Sequence, residues 1–80
     1  MSIMTYADKL HAKFAIFNDA VLAKAKLTYP ADQAFHFVSG YVQSFMISMI
    51  ASGMSQKGVL SAIDERVKYL HTDVENGVSF

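Results

Sequence analysis

Residues 33–56 constrain the fold most, because this stretch contains no Asp, Glu, Lys or Arg. A helix that is apolar on nearly every side must be surrounded by its own domain, by copies of itself or by lipid. Only 18% of the 80 residues are charged and 52% are hydrophobic. A domain of this size buries a modest share of its surface and is marginally stable alone. We therefore expect one domain over residues 1–80, with part of its apolar surface meeting another subunit.

The apolar periodicity predicts helices over about residues 6–27, 30–52 and 56–72, followed by a tail at residues 76–80. Local signals agree with these boundaries. Thr5 and Asp8 match a capping box, Pro30 suits the first position of the second helix, Gly53 suits a helix end and Ser55 suits an N-cap. The expected fold class is all-α, a three-helix domain with the second, apolar helix in the centre. Self-association completes it, most simply as a homodimer, with a higher closed ring as the alternative.

A stripe of small residues marks the expected packing interface on the second helix. The stripe consists of residues at intervals of four: His36, Gly40, Ser44, Ser48 and Ser52. Small residues allow another backbone to approach closely, so we expect the first helix, or the second helix of another copy, to cross here. The predicted interface comprises His36, Gly40, Ser44, Phe45, Ser48 and Met49. Met46, Met49 and Met54 add a soft apolar patch, which is either a partner surface or ordinary core.

The uncharged segment is also long enough to span a bilayer. Gln43, His36 and several serines, and flanks without clustered Lys/Arg or a Trp/Tyr belt, favour a buried helix instead. The N-terminal residues show no basic region followed by an apolar run, so no secretory signal is expected. Cysteine is absent, which excludes disulfides and thiolate metal sites. We expect a cytoplasmic protein that is not a membrane component.

Lysines on the first helix offer an alternative function. Lys9, Lys13 and Lys24 project at similar angles, and around an oligomer axis they could collect an anion or a nucleotide phosphate. The candidate ligand-binding set is Lys9, Lys13, Lys24, Lys26, Thr28 and Tyr29. The competing interpretation is that these lysines form the solvent-exposed face of an amphipathic helix. On the third helix, Asp64 and Lys68 match a favourable i,i+4 ion pair.

A third hypothesis is DNA binding through a helix-turn-helix. Gly53-Met54-Ser55 resembles the turn of that motif, and Gln56, Lys57 and Ser61 would face the groove. A net charge of zero disfavours nucleic acid as a partner.

Catalytic motifs are not found: the chain has no Gly-rich phosphate loop, nucleophile elbow or paired-His motif. The three His have no ligand-like spacing, so we expect no enzyme activity, cofactor or metal. The leading hypothesis is a non-catalytic, homo-oligomeric interaction protein that binds another protein as a regulator, adaptor or inhibitor. Small helical proteins of phages bind nucleotides or host proteins in this way, so a phage accessory role is an expectation from architecture alone.

Overall fold

The computed structural model describes residues 3–80 as three α-helices: α1 (Tyr6–Ala25), α2 (Ala31–Ala51) and α3 (Gln56–Glu75). Met1 and Ser2, which begin the segment considered above for a secretory signal, lie outside the described residues. The all-α class and the three packed helices are confirmed. α1 ends at Ala25 rather than near residue 27, and α3 continues to Glu75 rather than ending near residue 72.

The helix ends follow the local signals in the sequence. The Thr5 N–H donates to an Asp8 carboxylate oxygen at 3.1 Å, and the Asp8 N–H donates to the Thr5 hydroxyl oxygen at 3.1 Å. This capping box satisfies two backbone donors at the start of α1. The Ser55 hydroxyl oxygen accepts from the Gly58 N–H at 3.1 Å and caps α3. Gly53 has φ +71°, the left-handed conformation that glycine adopts after a helix.

The central helix of the subunit is α1, not α2 as the sequence predicted. α1 packs extensively against α3 and also against α2, whereas α2 and α3 approach each other only at isolated positions. Phe17 and Val21 of α1 and Ile63 of α3 are fully buried. Small buried residues, Ala20 and Ala25, let neighbouring chain segments approach α1 closely. Apolar content alone placed α2 in the middle, but α1 is the helix with buried residues toward both neighbours.

α2 packs on α1 through one face only. Ala34, Val38 and Met49 are buried on that face. Phe35 and Ile50, expected to be part of a surrounded helix, are 60% and 71% exposed. The helix with no charged residue after Asp32 is therefore only half covered within the subunit.

Aromatic contacts attach α2 and the tail. The Phe17 ring lies 5.0 Å from the Phe45 ring and 6.1 Å from the Tyr41 ring, both in edge-to-face geometry. After α3 the chain turns at Gly77 (φ +69°), and Phe80 packs 4.6 Å from Phe37 and 5.2 Å from Tyr41. The Phe80 pairs are tilted, whereas the two Phe17 pairs are edge-to-face and contribute beyond the area they bury. The tail thus runs from the end of α3 to α2.

Candidate interaction surfaces

The exposed face of α2 opposite α1 is the first candidate surface. We call it the outer face of α2 and define it as His36, Gly40, Gln43, Ile47 and Ile50. Their spacing alternates between four and three residues, which keeps them on one side of a helix and is typical of a helix-pairing seam. All five are exposed and none is an acidic or basic residue apart from the histidine. The outer face therefore offers an uncharged strip along much of α2.

The predicted packing stripe does not lie where α1 crosses. A Cβ atom placed on Gly40 would meet no atom within 4 Å, so no helix of the same subunit approaches there. His36, Ser44 and Ser48 are likewise exposed, whereas Phe45 and Met49 pack inside the subunit. Strict intervals of four drift around a helix, so the predicted row runs off the outer face after Gly40. Gln43, Ile47 and Ile50 were missed, although the three-four alternation in the sequence could have found them.

A groove between α2 and α3 is the second candidate surface, and we call it the α2–α3 groove. It has a volume of about 450 Å³. Its lining residues are Phe45, Ser48, Met49, Ser52, Met54, Ala62, Glu65, Arg66 and Tyr69. The guanidinium carbon of Arg66 lies 5.4 Å from the centre of the Phe45 ring, a cation–π distance. The predicted methionine patch is thus divided: Met49 is buried in the core while also bordering this groove, and Met54 stands at its end.

Two of the candidate ligand-binding lysines are engaged by carboxylates of α3. Lys13 Nζ lies 2.6 Å and 2.7 Å from the two carboxylate oxygens of Asp64. Lys24 Nζ lies 2.7 Å from Asp73 Oδ2 and 4.4 Å from the centre of the Phe80 ring. Lys24 is only 9% exposed, so it is not part of a solvent-exposed helix face. Asp64 pairs with Lys13 of α1, not with Lys68 as the i,i+4 spacing predicted.

The ligand-binding set is spread along α1 and the turn that follows it. Lys9 and Lys24 are separated by about 22 Å along α1, given a rise of about 1.5 Å per residue. Lys26 and Thr28 are exposed, and Tyr29 packs 5.3 Å from Phe37. Within one subunit, the predicted phosphate-binding residues do not converge on one point.

The proposed helix-turn-helix has its turn but lacks packing between its two helices. Gly53 and Ser55 play the expected local roles, and Gln56, Lys57 and Ser61 are exposed at the start of α3. However, α2 and α3 make few contacts with each other, whereas a helix-turn-helix packs its two helices together. Over residues 3–80, no three His, Asp or Glu residues are grouped so that they could hold a metal ion.

By length and composition α2 could also cross a membrane, and 22% of its most apolar stretch is buried inside the subunit. Helices of soluble proteins meet the same criteria, so the finding does not separate a membrane span from a protein interface. Comparison of the chain with profiles of known protein families, with curated proteins and with solved structures finds no match.

Proposed function

We propose that this protein is a non-catalytic interaction protein that self-associates through the outer face of α2 and, so assembled, binds another protein as a regulator, adaptor or inhibitor. The observation that carries the proposal is the exposure of an uncharged helix face: Ile47 is 58% exposed and Ile50 is 71% exposed. Large apolar side chains grouped on one face of a small protein are typical of an interaction site.

The composition of the outer face supports a second copy as its first partner. A two-fold interface places the same patch of both subunits against each other, so it tolerates few like charges. The outer face has no Asp, Glu, Lys or Arg, and its four-three spacing matches a helix-pairing seam. Gly40 lies within that seam and would allow close approach of the partner helix.

The alternatives have weaker support. A phosphate site made by the α1 lysines would have to compete with Asp64 for Lys13 and with Asp73 for Lys24. A DNA-reading helix pair would need the packing between α2 and α3 that they lack. Neither observation counts against self-association through α2, so we keep that function as the proposal.

Light scattering coupled to size exclusion tests the proposal with two matched variants. We expect the wild-type protein to have twice the subunit mass of 8.9 kDa at micromolar concentration. Ile47→Lys should reduce it to the subunit mass, because charges would face each other across the interface. Ile16→Lys on α1 is the control, since Ile16 is 53% exposed and Ile47 is 58% exposed. A single-subunit mass for the wild type, or equal effects of the two variants, would contradict the proposal.

The same wild-type and Ile47→Lys proteins test the alternative that the outer face of α2 contacts lipid. Flotation with neutral lipid vesicles should leave the wild-type protein unbound if the outer face of α2 is covered by a second copy. Recovery of the wild-type protein with the vesicles, together with loss of that recovery in Ile47→Lys, would assign the face to lipid. The partner protein is then sought by pull-down and mass spectrometry with wild-type and Ile47→Lys baits.

A further inference from the structure

We propose that the α2–α3 groove binds a free single-chain amphiphilic carboxylate, with its apolar chain on Phe45, Met49 and Ala62 and its carboxylate at Arg66. The groove and the outer face of α2 occupy different sides of α2. The inference therefore goes beyond the proposed function and does not require self-association.

The size of the groove is appropriate to a small molecule. Its volume of about 450 Å³ falls within the range of about 300–1,000 Å³ that is usual for ligand sites. Phe45, Met49 and Ala62 supply apolar walls, and Met54 of the α2–α3 connection stands at one end. An apolar chain laid on these side chains would be removed from water at little cost in polar contacts.

The ends of the groove favour a short ligand over a docked helix. Tyr41, Phe45, Ser48 and Ser52 follow one another at intervals of four, three and four, so they share one side of α2. Phe80 packs 5.2 Å from Tyr41, which lies one turn before the groove residue Phe45, and Met54 of the α2–α3 connection also lines the groove. Tyr41 and Ser52 are about 16 Å apart along the helix. A long partner helix would meet the tail or the α2–α3 turn.

The charges at the rim indicate the head group. Arg66 is held over the Phe45 ring at 5.4 Å, so its guanidinium is directed at the groove. Within residues 3–80 the ion pairs are Lys13–Asp64 and Lys24–Asp73, and neither engages Arg66. An Arg without a carboxylate partner beside an apolar wall suits a ligand carboxylate, which its planar donors bind in bidentate fashion. Glu65 also borders the groove and repels an anion, so it should weaken this binding.

Isothermal titration of the full chain with decanoate, below its micelle-forming concentration, tests the assignment. We expect saturable binding that Arg66→Gln weakens about tenfold, as the loss of one charge-assisted hydrogen bond would. Glu65→Gln should tighten binding, because it removes the repelling carboxylate. Lys68→Gln, an exposed cation on the opposite side of α3, is the matched control and should leave the affinity unchanged. Ala62→Phe should abolish binding by filling the groove.

Two further probes distinguish the head group from simple apolar binding. Decanol should bind more weakly than decanoate, and decyltrimethylammonium more weakly still. Absence of decanoate binding, equal affinity for the cationic probe or an unchanged affinity in Arg66→Gln would overturn the proposal. Circular dichroism of each variant verifies that it is folded. Light scattering on the same samples reports self-association separately, so a failure of one proposal is not mistaken for a failure of the other.

Discussion

Lys13 and Lys24 show how single residues acquire their roles from packing. Both fit the polar side of an amphipathic helix in the sequence, yet each meets an α3 carboxylate about fifty residues later in the chain. Their environments differ: the Lys24 and Asp73 side chains are 11% and 34% exposed, whereas those of Lys13 and Asp64 are 28% and 60% exposed. Ion pairs gain strength when water is excluded, so the two pairs should contribute unequally to stability.

Replacing each lysine by methionine measures this difference. Lys24→Met should lower the free energy of unfolding by about 1–2 kcal/mol, because it leaves a half-buried Asp73 without its cation. Lys13→Met should lower it by no more than about 0.5 kcal/mol, since the side chain of its partner Asp64 is 60% exposed. Urea unfolding followed by circular dichroism gives both values. Equal losses of unfolding free energy in the two variants would contradict the unequal contributions expected of the two ion pairs.

Among the elements, α1 is the hub of the subunit. It carries the fully buried Phe17 and Val21, makes both ion pairs to α3 and meets the aromatic rings of α2. α2 has no such second neighbour. Its contacts beyond α1 are few: Phe37 and Tyr41 meet Phe80, and Phe45 meets Arg66 of α3. Removal of the Phe17 ring should therefore loosen α2 as well as open the core.

Phe17→Ala should lower the free energy of unfolding by about 3–5 kcal/mol, as large cavities in cores do. Phe17→Leu should cost less and keeps the test informative if the alanine variant does not fold. Phe35→Ala is the matched control, since Phe35 is the same residue type but 60% exposed. Its effect should stay within about 0.5 kcal/mol. A cost for Phe35→Ala similar to that for Phe17→Leu, measured by urea unfolding at low protein concentration, would place the core elsewhere.

The whole molecule is a flat arrangement with dimensions of 40 × 31 × 22 Å. Its thinnest dimension is close to two helix diameters of about 10–12 Å each. Because α2 and α3 flank α1 without closing on each other, one side of α2 and the α2–α3 groove remain open. The two proposals assign those open surfaces to a second copy and to a small amphiphile.

Thermal unfolding at several protein concentrations tests the assembled state. If subunits pair through α2 and unfold as they separate, the Tm should rise with concentration, because mass action favours the paired form. Ile47→Lys should give a Tm that is lower and independent of concentration. Differential scanning fluorimetry across a broad concentration range makes the comparison. A wild-type Tm that does not change with concentration would contradict stabilisation by self-association.

Local sequence patterns predicted the helices well, because the signals that begin and end a helix act over a few neighbouring positions. The Thr5–Asp8 capping box, the Ser55 cap and the left-handed Gly53 all appear as the sequence indicated. Phe17 and Ile63, which recur with other apolar residues at helical spacing in the sequence, are both fully buried. These features depend on the spacing of residues along one helix, and the amino-acid sequence contains that spacing directly.

Tertiary packing decided which helix lies in the centre and which charges meet. Apolar content favoured α2, but a central helix needs two neighbours, and α1 packs against both α2 and α3. Both ion pairs also join α1 to α3. The position of Arg66 over Phe45 and the groove beside it arise from helices that are distant in sequence and only loosely packed on each other. Such relations depend on the angle and rotation of whole helices, which are set by the summed contacts of many residues rather than by any local pattern.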